Sequence, residues 1–209
     1  MIKTDFDKLR TKVLGIIEGM AMIDNKYFDL RRAVLFAEKV HCGSRKDGSK
    51  EFSHQLEMLA FALTLHSLLN KPFEVYISIV LHDLYEDYPQ YLEEIRKNFP
   101  DAEEFSVRLS KYKDRSGKEY YSYFNGIAEC EVCSVVKAID RYHNLSTAPG
   151  VFSNSKILEY CEEVETYFIP MLRKAKQLHN QRAVYELMKS ILTTQVNTID
   201  KFCSTKTDA

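Results

Sequence analysis

Apolar residues recur along this chain at intervals of three and four, the spacing that lines one face of a helix, and no stretch alternates long enough to argue for a strand. The pattern predicts an all-α fold. Phe6, Leu9, Val13, Ile16, Ile17 and Met20 form a first stripe, and Ala33, Val34, Phe36, Ala37 and Val40 form a second that leads to His41. Cys42 and Gly43 open a polar loop over 44–51, in which Asp47 and Gly48 are a turn signal. Ser53 is a candidate N-cap for a helix through Leu56, Leu59, Ala60, Leu63 and Leu68, which Asn70 and Pro72 bring to an end.

The helix that starts near Pro72 holds Val75, Ile79, Val80 and Leu84 and is nearly all apolar as far as His82, so it reads as a buried central helix. It then ends on His82, Asp83, Glu86 and Asp87. Charged side chains are almost never fully buried unless paired, so this polar end requires partners. Tyr88 and Pro89 break the pattern, a short helix with Leu92, Ile95 and Phe99 runs up to Pro100, and Phe105, Val107 and Leu109 suggest another. Residues 112–125, rich in Lys, Asp, Ser, Gly and Tyr, suggest a surface excursion, either a lid or an ordinary solvated loop. Ala128, Val132, Val135, Val136 and Ile139 then form a stripe that delivers Asp140, His143 and Asn144 to a common side. Thr147, Pro149 and Gly150 end it. Two amphipathic helices over 157–178 and 183–199 finish the pattern, with Pro170 expected to kink or restart the first.

With 209 residues, of which 45% are hydrophobic and 28% charged, the chain can bury one sizeable core. The expected organisation is an N-terminal helix over 1–28 packed on the core, a main helical domain over 29–203 and a frayed tail over 204–209. A net charge of -1 with scattered basic residues argues against a nucleic-acid partner, and the pairs Arg31-Arg32, Arg45-Lys46 and Arg173-Lys174 suit a small anionic ligand instead. The composition argues equally against a membrane protein. Charged residues among the first ten positions interrupt any signal-peptide pattern, and five cysteines without a small-scaffold spacing suit a reducing cytoplasm. Cys130 and Cys133 form a single CxxC with no second pair, which reads as core packing rather than as a metal site.

His82 and Asp83 with Glu86 and Asp87, echoed downstream by Asp140, are the residues that carry chemistry. Residues three and four apart share a helix face, so these carboxylates would crowd beside an imidazole, and a divalent cation removes the penalty of gathering them. The expected ligands are His54, His82, Asp83 and Asp140. A mixed imidazole and carboxylate set suits manganese, iron or zinc better than calcium and leaves positions for water. Glu86 and Asp87, one turn on, would orient or deprotonate that water, and Arg45 and Lys46 would guide an anionic, phosphorylated substrate. Each piece has a plain alternative: an HD dipeptide is commonplace, His54 can be a hydrogen-bonded helix-start residue, and Asp140 beside Arg141 can be a simple ion pair. His66 and His179 have no such companions and are expected to be structural or exposed.

These residues occur in four ordered blocks that resemble the HD-domain hydrolases of the alarmone (p)ppGpp, both the RelA/SpoT type and the small stand-alone enzymes. Phe36, Ala37, His41, Gly43, Arg45, Lys46 and Asp47 are similar to the family's first block, and Phe52 to His54 to its second. His82, Asp83, Glu86 and Asp87 match its HDxxED block, while Asp140, Arg141, His143, Asn144 and Thr147 match DRxHNxxT. Residues 162–173 bear a looser similarity to the helix that follows. The resemblance implies an HD-domain helical bundle with a buried metal site, in which His54, His82, Asp83 and Asp140 bind Mn2+ and Glu86 and Asp87 serve the nucleophilic water. It further implies that Arg45, Lys46, Asn144 and Thr147 hold guanosine tetraphosphate or pentaphosphate, and that the 3′ pyrophosphate is removed to leave GDP or GTP.

The chain departs from the family at Ser44, at Glu51 and Phe52, and at Leu145 and Ser146, all bordering the nucleotide rather than the ligands. The implied protein is a hydrolase without a synthetase domain, suited to act as the antitoxin of an alarmone synthetase. Two other readings stand beside it: an HD-type phosphatase or phosphodiesterase for another nucleotide, adenine alarmones such as pppApp included, and a nucleotide sensor without turnover.

Overall fold

The computed structural model describes residues 4–110 and 117–204, and among these every regular element is helical. The all-α expectation therefore holds. The single extended feature is an isolated antiparallel bridge between Ser44 and Lys50. No helix among the described residues is long and apolar enough to cross a membrane. Of the expected frayed tail over 204–209, Ser204 is helical, while 205–209 and the first part of the expected excursion, 112–116, lie outside the described residues. The chain divides into two compact units, Met1–Ser67 with Lys71–Lys111, and Leu68–Asn70 with Tyr112–Ala209.

The first unit contains α1 (Phe6–Ala21), α2 (Tyr27–Val40), α3 (Ser53–Thr64), α4 (Pro72–Asp87) and the short α5 (Leu92–Asn98) and α6 (Glu103–Leu109). Asp5 caps α1 by accepting the Lys8 amide at 3.1 Å, satisfying one of the donors that a helix start leaves open. The helix turns Val13, Ile17 and Ala21 inward and packs on α2 and α3. Pro72 starts α4, where its missing N–H costs nothing. Val75 through His82 are then buried without a break, because α2, α3 and α6 pack around this helix. It is the central helix that its composition predicts.

One local expectation changes. Ser53 is not the N-cap of α3: Phe52 occupies that position, and the Ser53 hydroxyl instead donates to Ser49 Oγ at 3.2 Å. Phe52 is 1% exposed, so its burial decides where the chain enters the helix. The short helix expected around Phe105, Val107 and Leu109 is α6, whose buried residues Ser106 and Leu109 are three apart while Val107 is 58% exposed.

The second unit contains α7 (Gly117–Ala128), α8 (Glu131–Thr147), α9 (Asn154–Glu163), α10 (Ile169–Leu178) and α11 (Arg182–Ser204). The expected excursion is corrected over 117–125, which is helical. Tyr120, Phe124 and Ile127, spaced four and three apart, are all buried, and Phe124 stacks on Tyr167 and meets Phe168 edge-on. The polar, tyrosine-rich composition hides that stripe. Cys130 Sγ accepts the Cys133 amide at 3.3 Å and so caps α8, while Cys133 is buried, in keeping with a packing role for the pair. Between α9 and α10 the chain makes a π-helical turn, Val164–Phe168, and Pro170 sits in the first turn of α10. A proline cannot donate to the preceding turn, and the wider π turn is how the chain passes that position and restarts.

A buried polar chain ties α11 to α8. Gln181 Nε2 donates to the Glu131 carbonyl at 2.7 Å and to the Tyr185 hydroxyl at 2.8 Å. Ser134 Oγ donates to the Cys130 carbonyl, so the Tyr185 hydroxyl must be the donor in its 3.0 Å contact with Ser134. Phe124→Ala is expected to lower stability in urea by about 3 kcal/mol, the usual loss for truncating a buried aromatic. A change below about 0.5 kcal/mol, the range of surface substitutions, would show that α7 lies outside the core.

Candidate metal centre

In the first unit the packing of α3 on α4 brings His54 and His82 together. Both are about 95% buried, at 4% and 5% exposure. Their ring centroids are 6.4 Å apart, and a ring nitrogen of one lies within 4.8 Å of a ring nitrogen of the other. His82 Nδ1 is 3.0 Å from the Ile79 carbonyl, and because a carbonyl only accepts, Nδ1 must carry the proton. His82 Nε2 then faces Asp83 Oδ1 at 3.1 Å. A bare nitrogen and a carboxylate oxygen repel at that distance unless a positive charge lies between them. A proton would satisfy this, as an imidazolium ion pair, and so would a metal ion held by both groups.

The Asp83 carboxylate is held from behind. Gln55, the residue after His54 and 2% exposed, donates from Nε2 to Asp83 Oδ2 at 2.8 Å. This leaves Oδ1 on the His82 side. Hydrogen bonds of this kind to a ligand carboxylate fix its direction and tune the ion it binds. Sequence reasoning missed Gln55, whose only signal is an amide beside His54 at the start of an apolar helix.

Glu86 and Asp87 lie in the last turn of α4, Glu86 half-buried and Asp87 exposed. Glu86 follows His82 by four residues, so both project from one side of the helix. Arg45 and Lys46 sit in the loop before α3. That loop is built by its backbone: Arg45 N–H donates to the Ser49 carbonyl and Gly48 N–H to the Arg45 carbonyl, both at 2.9 Å. Gly48 has φ of 79°, a conformation that glycine adopts without strain. Asp47 Oδ1 accepts from the Ser49 amide and hydroxyl at 2.9 and 2.6 Å, and these bonds hold its carboxyl below the usual range.

His41, at the end of α2, is 4% exposed, and neither ring nitrogen has a hydrogen-bond partner. Its ring lies between Phe52, stacked at 6.1 Å, and the edge of Tyr88 at 5.1 Å. Burial pushes its pKa down against the opposing pull of Asp83 and Glu51, so the imidazole is neutral near pH 7.

In the second unit Asp140 is half-buried on α8, and its Oδ1 accepts from Asn144 Nδ2, one turn on, at 2.7 Å. Asn144 therefore orients Asp140. Arg141 pairs with Glu163 of α9, and its guanidinium lies 4.6 Å from the ring of Tyr160 and 4.7 Å from that of Phe168. Arg141 thus engages α9 and the π turn. His143 is buried, and Thr147 Oγ1 donates to the His143 carbonyl at 3.0 Å. His66 Nδ1 meets the Tyr76 hydroxyl and His179 Nε2 meets the Ala128 carbonyl, each at 3.0 Å, as structural histidines do.

The fold and these side chains define an all-helical chain with a buried pair of imidazoles beside an oriented carboxylate. The chain matches no family model and no curated protein.

Breaking the Arg141–Glu163 pair leaves a largely buried guanidinium without its counter-ion. Glu163→Ala is expected to cost about 3 kcal/mol in denaturant unfolding, with Arg141→Met/Glu163→Leu recovering most of it. Equal losses in the single and double variants would mean that the pair does not hold α8 to α9.

Proposed function

We propose that this protein is a divalent-metal-dependent phosphohydrolase of the HD-domain type that removes the 3′ pyrophosphate from guanosine alarmones in the cytoplasm. The observation that carries the reading is the 3.1 Å approach of His82 Nε2 to Asp83 Oδ1, buried beside His54, with Glu86 and Asp87 on the same helix as His82. The order of the four sequence blocks supports the same assignment and adds Asp140 as the fourth ligand. The donor set fits manganese, with iron and zinc as alternatives.

A divalent ion held there supplies Lewis acidity toward a phosphoryl oxygen and makes a neighbouring water acidic. The protein's own residues do the rest. His54, His82, Asp83 and Asp140 would hold the cation, and Gln55 and Asn144 hold the carboxylates of Asp83 and Asp140 in direction. Glu86 or Asp87 takes the proton from water as its oxygen adds to the phosphorus carried by the ribose 3′ oxygen. The bond from that phosphorus to the 3′ oxygen breaks, pyrophosphate departs and the 3′ oxygen takes up a proton to become the hydroxyl of GDP or GTP. Arg45 and Lys46 offer positive charge to the diphosphate, Arg through two parallel hydrogen bonds and Lys as a point charge. Asn144 and Thr147 complete the nucleotide contacts. A role as antitoxin to an alarmone synthetase follows from this activity.

Purified protein incubated with ppGpp, pppGpp, pppApp and ordinary nucleotides, with and without Mn2+, tests the reading. Metal-dependent release of pyrophosphate from guanosine alarmones is expected. Release from pppApp alone would move the assignment to adenine alarmones, orthophosphate would indicate another HD-type phosphatase, and tight binding without product would indicate a sensor. Asp83→Ala should lose metal and activity together, whereas Glu86→Gln should keep the metal and lose at least about 100-fold in kcat, as for a missing general base. Full activity of Glu86→Gln with metal bound would remove Glu86 from the water-handling role. Arg45→Ala should mainly raise KM.

A further inference from the structure

Glu51 stands at one of the positions where the chain departs from the family's pattern, and the structure surrounds it with partners from three segments. Its Oε2 accepts the Tyr88 hydroxyl at 2.8 Å and the Gly43 amide at 3.1 Å. Its backbone N–H donates to the Gly43 carbonyl at 3.0 Å, so Glu51 and Gly43 close both ends of the loop that carries Arg45 and Lys46. Its Oε1 lies 3.6 Å from Nδ1 of the buried, otherwise unpartnered His41. Tyr88 directly follows Glu86 and Asp87 and closes α4. One carboxylate thus joins the cationic loop to the acidic end of the central helix.

Gly43 shows how tight the junction is. A Cβ there would stand 2.8 Å from Glu51 Oε2, closer than real Cβ contacts come, so a side chain at this position requires the carboxylate to shift. The Tyr88 hydroxyl is held in its protonated, donating form, since burial and the bond to Glu51 push its pKa well above the usual phenol value. A charge-assisted bond of this kind is worth more than one between neutral groups.

We propose that Glu51 is a positioning residue that clamps the Arg45–Lys46 loop to the end of α4 through the Gly43 amide and the Tyr88 hydroxyl, setting the affinity for diphosphate-bearing ligands. The consequence for substrate rests on the hydrolase reading above, whereas the clamp itself does not. Glu51→Gln keeps a carbonyl oxygen that can accept both donors; Glu51→Ala and Tyr88→Phe break the clamp, and Gly43→Ala displaces it.

Hydrogen exchange read by mass spectrometry on the loop peptide decides whether the clamp exists, with no need for activity. Exchange over 43–51 is expected to rise at least about fivefold in Glu51→Ala, Tyr88→Phe and Gly43→Ala and to stay near wild type in Glu51→Gln. Unchanged exchange in the first three would overturn the clamp. Kinetics with ppGpp and Mn2+ give the second readout: KM up by about tenfold in Glu51→Ala with kcat within about threefold, and restoration by Glu51→Gln. An equal fall in kcat for both Glu51 variants with KM unchanged would make Glu51 part of the chemistry and overturn its positioning role. Should the wild type not turn over ppGpp, the hydrolase reading fails by itself, and affinity for inorganic pyrophosphate takes the place of KM. Equal pyrophosphate affinity in wild type and Glu51→Ala would then overturn the link between clamp and ligand.

Discussion

Removing an imidazole and a carboxylate from water side by side is costly unless a positive charge joins them, and the first unit is arranged around that constraint. His82 gives its only fixed proton to the Ile79 carbonyl, which leaves Nε2 toward Asp83. Gln55, which holds the other carboxylate oxygen, is neutral. Either a proton or a divalent cation balances the group, and His54 beside it offers a further nitrogen that suits the cation.

The rest of the first unit holds this group still. The long buried run of α4 is packed on by α2, α3 and α6, so His82 and Asp83 emerge from a helix that has little freedom to turn. Gln55 then sets the carboxylate, and Phe52 sets the start of α3 on which His54 and Gln55 ride. The loop with Arg45 and Lys46 is shaped by its own turn and tied by Glu51 to the residue after the acidic pair. Rigid helices thus carry the candidate ligands, and a tethered loop carries the cations, a division that suits a site where metal geometry must persist while an anionic ligand enters.

The second unit solves a similar problem with different parts. Arg141 is almost buried one residue after Asp140, and Glu163, Tyr160 and Phe168 take up its charge and its planar faces. With Arg141 engaged there, the Asp140 carboxylate is met by Asn144 from its own helix. The π turn before Pro170 contributes Phe168 to both the Arg141 contact and the Phe124 cluster, so a proline that cannot continue a helix is turned to use in packing.

Helical periodicity and the burial of α4 were legible in the residues alone, because spacing of three and four is a local signal that a chain carries whatever it packs against. His54, His82, Asp83 and Asp140 stand out in the sequence by residue type and by the order of their blocks rather than by periodicity. What only the folded chain decided are bonds between residues far apart in sequence: Gln55 to Asp83 across 28 positions, Tyr88 to Glu51 across 37, and Arg141 to Glu163 across 22. Such contacts leave no periodic trace. Helix α7 escaped for a related reason: its polar, tyrosine-rich composition reads as loop, and its burial depends on packing against α8, α10 and the aromatic rings of the π turn. Ser53 shows the same order of forces in miniature, since the burial of Phe52, a tertiary event, outranked a capping preference worth about 1 kcal/mol.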